Sequence, residues 1–135
     1  MNRIYLNESV ILKSYKYGGN KATVLVSLRY IQEDFECFSQ WSKQEMKIFW
    51  DFNRSIHNYT WRDILELGGR SGKKVGFGYT KISRHQYTES LFVSTFSPEL
   101  DVFELRLSTK MRVHGFKDEA LFYICWLDRN HKICS

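Results

Sequence analysis

The chain has 135 residues, with 20 Lys+Arg against 15 Asp+Glu, a formal net charge of +5. Hydrophobic residues make up 43% and charged residues 26%, an ordinary globular balance that excludes a disordered chain and predicts one domain over 1–135. No apolar run approaches the roughly 18 residues of a membrane span, and the N-terminus lacks an apolar signal core, so a cytoplasmic protein with no membrane partner is expected.

Two details sharpen this picture. Aromatic residues reach 16%, and proline occurs once, at Pro98. Cys37, Cys125 and Cys134 are an odd number without a CxxC spacing, which favours reduced thiols over a disulfide scaffold.

In chain order, residues 1–35 read as a strand extension. Ser9–Lys16 and Lys21–Ile31 flank the turn signal Tyr17-Gly18-Gly19-Asn20, which predicts an N-terminal β-hairpin. A small acidic cluster follows at Glu33, Asp34 and Glu36. Residues 42–68 read as a helical hairpin. Ser42 with Glu45, and Thr60 with Asp63, both show capping-box spacing. Met46, Phe49, Trp50 and Ile56 give the first helix, Lys43–His57, an apolar face, and Gly68-Gly69 stops the second.

Residues 70–100 are expected to form a basic loop region. Its first part, 70–88, carries Arg70, Lys73, Lys74, Lys81 and Arg84 and no acid. That stretch alone equals the charge excess of the whole chain. Phe77, Tyr79 and Tyr87 interleave with the cations, a mixture suited to single-stranded nucleic acid, although charge runs are more often plain solvated loops.

Residues 101–134 read as an antiparallel meander. Asp101–Leu107 and Lys110–Phe116 alternate, Ala120–Leu127 is apolar on both faces like a covered central strand, and 131–135 would add a short last strand. Phe49, Trp50, Phe103, Phe122 and Trp126 are the expected aromatic core. The fold class is therefore α+β, with a central helical hairpin packed on a C-terminal antiparallel sheet.

Alternation places Glu104, Arg106, Arg112 and His114 opposite Phe103, Leu105, Met111 and Val113. A carboxylate, two guanidiniums and an imidazole form a set able to cleave RNA. Glu104 or His114 would take the 2′-OH proton and the arginines would stabilise the phosphorane-like transition state. The same four residues would equally serve as a solvated face paired across strands. His131 and Cys134, with Cys125 and His114, lack the paired close ligands of structural zinc, so neither metal nor cofactor is expected. Ser71-Gly72-Lys73-Lys74 is not a phosphate-binding loop, and His57 and His85 read as surface residues.

The order of features from 42 to 134 resembles the RelE/HigB type of toxin, the ribosome-associated mRNA interferases of bacterial toxin–antitoxin pairs. Two helices precede a basic segment, then Phe103-Glu104-Leu105-Arg106, a strand with Arg112, the apolar strand 121–127 and a terminal His131-Lys132. The resemblance implies that Arg106 and Arg112 bind phosphate, that Lys73, Lys74 and Lys81 form the basic approach, and that His131 or Lys132 reaches the site. It implies RNA, on or off the ribosome, and an antitoxin as partners. Residues 1–35 have no counterpart in it. Two other classes fit the same residues: a non-catalytic nucleic-acid-binding protein of a mobile element, and a protein-interaction domain built on its aromatics.

Overall fold

The computed structural model describes residues 21–33, 35–66, 76–87 and 92–133. Among these, five strands form one mixed sheet in the order β1-β5-β4-β3-β2. They are β1 (Leu25–Ser27), β2 (Thr80–Lys81), β3 (Phe103–Arg106), β4 (Arg112–Asp118) and β5 (Leu121–Asp128). Helices α1 (Lys43–Ile56) and α2 (Trp61–Glu66) lie between β1 and β2 in sequence. The fold is α+β. No helix of the described residues is long and apolar enough to cross a membrane.

Both helix starts follow from their caps. At α1, the Glu45 amide donates to Ser42 Oγ at 3.1 Å and the Ser42 amide donates to Glu45 Oε1 at 2.8 Å. The same reciprocal pair joins Thr60 and Asp63 at 3.1 and 3.2 Å. Each pair satisfies two amides that a helix start would otherwise leave unbonded. Phe49, Phe52 and Ile56 face inward from α1, and Trp61 and Ile64 from α2. Trp50, expected in the core, is instead 50% exposed: position 50 falls just off the Phe49–Phe52–Ile56 stripe.

The N-terminal region differs from expectation in one described element. Strand Lys21–Ile31 contracts to Leu25–Ser27, and it pairs parallel with β5, Val26 opposite Phe122, which makes the sheet mixed. Ser9–Lys16, the other arm of the expected hairpin, lies outside the described residues. The expected last strand at 131–135 is not formed over 131–133, where the chain turns back on Asp128.

The sheet is covered on both sides. On the helix side, Trp61 meets Phe103 and Phe122 edge-on at 5.5 and 5.7 Å, with Leu105, Val113, Ile124 and Leu127 around them. On the other side, the turns Arg84–Tyr87 and Phe92–Thr95 fold over β4 and β5. There Tyr87 stacks on Trp126 at 4.6 Å, beside Val102, Ile82 and Cys125. β5 carries an extra residue, Cys125, where the pairing steps from His114–Trp126 to Gly115–Ile124. Gly115 is required at that bulge, because a Cβ there would sit 1.9 Å from the Tyr123 carbonyl oxygen.

Candidate active site

The alternation in β3 and β4 is realised. Glu104 pairs with His114 and Arg106 with Arg112 across the two strands, so the four share one phase of the alternation; Glu104, Arg112 and His114 meet on the face opposite the helices, whereas Arg106, at the end of β3, reaches the cleft beside α1. Burial then separates their roles.

His114 is fully buried. Its Nδ1 lies 2.7 Å from the Tyr87 hydroxyl and its Nε2 lies 3.3 Å from Asp128 Oδ2. The carboxylate partner assigns the proton to Nε2, leaving Nδ1 to accept from Tyr87. A side chain with no exposed surface and both nitrogens engaged cannot meet a substrate, so the reading of His114 as a base acting directly on RNA is corrected. Asp128 anchors this network. It is fully buried and also accepts from the amides of Lys132 at 2.8 Å and Ile133 at 2.9 Å. Burial pushes its pKa up, but the hydrogen bonds from His114, Lys132 and Ile133 outweigh this and hold it below the ordinary value.

Glu104 is also buried, and its Oε1 has no hydrogen-bond partner among the described residues. Two imidazoles stand near that oxygen: His131 Nε2 at 3.7 Å and His114 Nε2 at 3.8 Å. Arg112 Nε approaches the other oxygen at 3.7 Å. Arg112 is itself largely enclosed, its Nη1 donating to the carbonyls of Ser108 and Met111 at 2.8 and 3.1 Å. Burial lowers its pKa, against the pull of Glu104.

His131 and Arg106 face outward. The His131 side chain is 28% exposed, and its backbone is left-handed at φ 55°. A non-glycine residue in that conformation is held there by its surroundings, here by the tight turn after β5 in which the His131 amide reaches the Asp128 carbonyl. The Arg106 guanidinium makes no hydrogen bond or ion pair among the described residues. It lies over Gly78, where a Cβ would come within 3.2–3.3 Å of it and where φ is +65°, so that position needs glycine for both space and conformation. Beyond it opens a cleft of about 560 Å³ between α1 and the β3–β4 connection, lined by Asp51, Phe52, Ser55, Tyr59, Phe77 and Arg106.

The expected basic approach divides. Arg70, Lys73 and Lys74 lie outside the described residues. Lys81 is exposed and pairs with Asp101 at 3.3 Å. Arg84 does not face solvent as a free cation: its guanidinium donates to the carbonyls of Phe96, Ser97 and Leu100, tying the turn after residue 83 to the segment before β3. Tyr79 packs on Phe103 at 4.7 Å, Phe77 is in the main core and Tyr87 covers His114. These three rings are structural, so the base-stacking role suggested by the sequence is withdrawn for them. His57 is likewise no surface residue: it accepts the Val26 amide at Nε2 and donates from Nδ1 to the Asn53 carbonyl, joining α1 to β1.

Sequence reasoning missed Asp128, and it read Tyr87 as a stacking ring rather than as the partner of His114. Asp128 was legible in principle, since the alternation that sets Trp126 on the site face also sets Asp128 there. The place of Tyr87 over β4 was not, because it is set by tertiary packing of the turn Arg84–Tyr87 and leaves no local pattern.

No family model, curated protein or solved structure matches the chain.

Proposed function

We propose that the protein is a RelE/HigB-like endoribonuclease that cleaves mRNA by attack of a ribose 2′-OH, with His131 as the proton-transferring group. The observation that carries this reading is the partly exposed His131 imidazole beside the buried Glu104 Oε1, which has no hydrogen-bond partner among the described residues, with Arg106 two residues along the same strand. A carboxylate behind an imidazole orients it and stabilises its charged form. The 3.7 Å separation is looser than a hydrogen bond, as is common before substrate is bound.

In the reaction His131 takes the 2′-OH proton as the oxygen attacks phosphorus. Arg106 stabilises the negative charge that grows on the phosphoryl oxygens. Arg112, enclosed beside Glu104, adds a second positive charge at longer range. As the bond from phosphorus to the 5′-oxygen breaks, that oxygen takes a proton from solvent water, giving a 2′,3′-cyclic phosphate and a 5′-hydroxyl, and the proton held by His131 returns to solvent. His114, with Tyr87 and Asp128, positions Glu104 from behind. The element order, two helices and then the strands bearing Glu104-Leu105-Arg106 and Arg112, is the one the resemblance specifies. A partner antitoxin would act by covering Arg106 and His131.

The test is cleavage of end-labelled mRNA by the purified protein, free and on stalled ribosomes. Fragments ending in a cyclic phosphate are expected, with Arg106→Ala and His131→Ala each reducing the rate by about 10²-fold or more. If the wild-type protein yields no fragments in either setting, the proposal fails. Salt-dependent RNA binding without product would leave a non-catalytic nucleic-acid-binding protein in its place.

A further inference from the structure

The cleft beside Arg106 has room for more than a phosphate. It lies between α1 and the β3–β4 connection and holds about 560 Å³, within the roughly 300–1,000 Å³ of small-molecule sites. Its apolar wall is aromatic. Phe52 and Phe77 are buried and meet edge to face at 5.9 Å, and the partly exposed Tyr59 meets Phe77 at 5.4 Å. Its polar side chains are uncommitted: the Arg106 guanidinium and the hydroxyls of Ser55, Tyr59 and Thr109 make no hydrogen bond among the described residues. The acid on the wall, Asp51, is already engaged by Lys47 at 2.9 Å and Arg54 at 3.7 Å. The unopposed charge in the cleft is therefore that of Arg106. Its amide donates to the Phe77 carbonyl at 2.6 Å, which fixes the cation beside the aromatic wall.

We propose that this cleft binds a nucleotide unit, with its phosphate on Arg106 and its nucleoside against Tyr59 and Phe77. The hydroxyls of Ser55, Tyr59 and Thr109 are its hydrogen-bond partners for sugar and base. Three features select that chemistry. A guanidinium without an ion-pair partner binds phosphate through parallel N–H donors. An inorganic anion would use the guanidinium alone and leave the rings wet, whereas a nucleoside covers them. Hydroxyls both donate and accept, as a ribose and a base edge require. A nucleotide of an RNA chain and a free nucleotide share this chemistry. The inference deepens the ribonuclease reading and rests on it for RNA as the source: the cleft then holds the nucleoside next to the phosphate under attack.

The experiment is calorimetric titration of the full chain with adenosine and uridine 5′-monophosphates, with inorganic phosphate, and with an RNA tetranucleotide made uncleavable by 2′-fluoro substitution. Saturable binding of the mononucleotides is expected, about fivefold or more tighter than inorganic phosphate because of the base–ring contact. Arg106→Ala should remove binding of both. Ser55→Phe, which fills the cleft from α1, should weaken the mononucleotides by about tenfold and leave inorganic phosphate unchanged. Circular dichroism confirms that each variant is folded, and Tyr59→Ala takes the place of Ser55→Phe should that variant unfold. A tetranucleotide that binds more tightly than the mononucleotides, and less tightly to Ser55→Phe, assigns the site to RNA. Mononucleotide binding with the tetranucleotide excluded assigns it to a free nucleotide. Equal affinity for mononucleotide and inorganic phosphate overturns the proposal. So does mononucleotide binding that the cleft variants leave unchanged, or the absence of saturable mononucleotide binding. No turnover enters these titrations, so a protein that fills the cleft but makes no fragments loses only the ribonuclease reading, and one that makes fragments with the cleft empty loses only this one.

Discussion

His131 sits in a left-handed conformation that costs a non-glycine residue about 1 kcal/mol or more, at the one place where its ring reaches Glu104. A structural role would relax on substitution by glycine, and a functional one would be lost. His131→Gly is therefore expected to keep or raise stability in urea unfolding by up to about 1 kcal/mol while abolishing RNA cleavage. A destabilised His131→Gly protein would show that the ring serves packing. Asp128 has the opposite character. Its pKa is depressed in the folded state by His114 and two amides. A depressed carboxylate contributes stability that is fully present above its unfolded value, near 3.8, and is lost as the pH falls through the lower folded value. Asp128→Asn should flatten the acid limb of the stability curve below pH 4, and a limb unchanged in the variant would remove Asp128 as its cause. At Gly115 no side chain fits, because the obstructing atom is a backbone carbonyl. Gly115→Ala is expected to cost about 2–3 kcal/mol or more, read from the shift in urea midpoint.

Among the elements, α1 shows how local signals survive folding. Its start is fixed by Ser42 and Glu45, which need nothing beyond four consecutive residues. Glu45 also receives Arg129 Nη1 at 3.0 Å, and Arg129 in turn bonds Glu36, so the cap is tied to the residue that follows β5. The backbone hydrogen bond from Ser42, followed by Arg129, holds the Glu45 carboxyl below its usual range. Ser42→Ala should cost about 1 kcal/mol in thermal unfolding. The strands tell a different story. Alternation in β3 and β4 showed which residues share one phase, because side-chain direction has a strict period of two. It could not say that His114 would be sealed under Tyr87 while Arg106 stayed open, since the cover comes from the turns Arg84–Tyr87 and Phe92–Thr95, which lie outside the strands. Nor could it show β1 running parallel to β5. That pairing joins residues about a hundred positions apart and leaves no local pattern.

For the whole molecule, the aromatic surplus is the organising quantity. Most rings divide between two layers, one around Trp61, Phe103 and Phe122 under the helices and one around Trp126, Phe92 and Phe96 on the other face. Trp61 is fully buried, stacks its edge on two rings and donates from its indole nitrogen to the Ala120 carbonyl at 3.1 Å. Trp61→Ala removes all of these at once and should cost about 3–5 kcal/mol. The two-sided cover also predicts thiol chemistry. Burial pushes the Cys125 thiol up to about 12, whereas a hydrogen bond with the Ser39 side chain lowers that of half-buried Cys37. Iodoacetamide at neutral pH should therefore alkylate Cys37 well before Cys125 in the native state, by peptide mass mapping. Equal labelling would mean that the second layer opens.

By itself, the sequence determined what depends on near neighbours: both helix caps, the α+β order, the apolar central strand, and the alternation phase shared by Glu104, Arg106, Arg112 and His114. Each follows from hydrogen bonds or side-chain directions within a few residues. Only the tertiary structure decided which of those four side chains meet solvent, that of the two imidazoles near Glu104 it is His131 that is partly exposed and His114 that is sealed, and that the five scattered rings of Tyr30, Phe92, Phe96, Phe116 and Tyr123 line a pocket. Exposure and enclosure are properties of what packs on top, and that is set by contacts between distant parts of the chain. The charge followed the same division. The +5 excess could be traced along the sequence to 70–88. Folding then paired Lys81 with Asp101 and bound Arg84 to carbonyls, and among the described cations of the site it left Arg106 open.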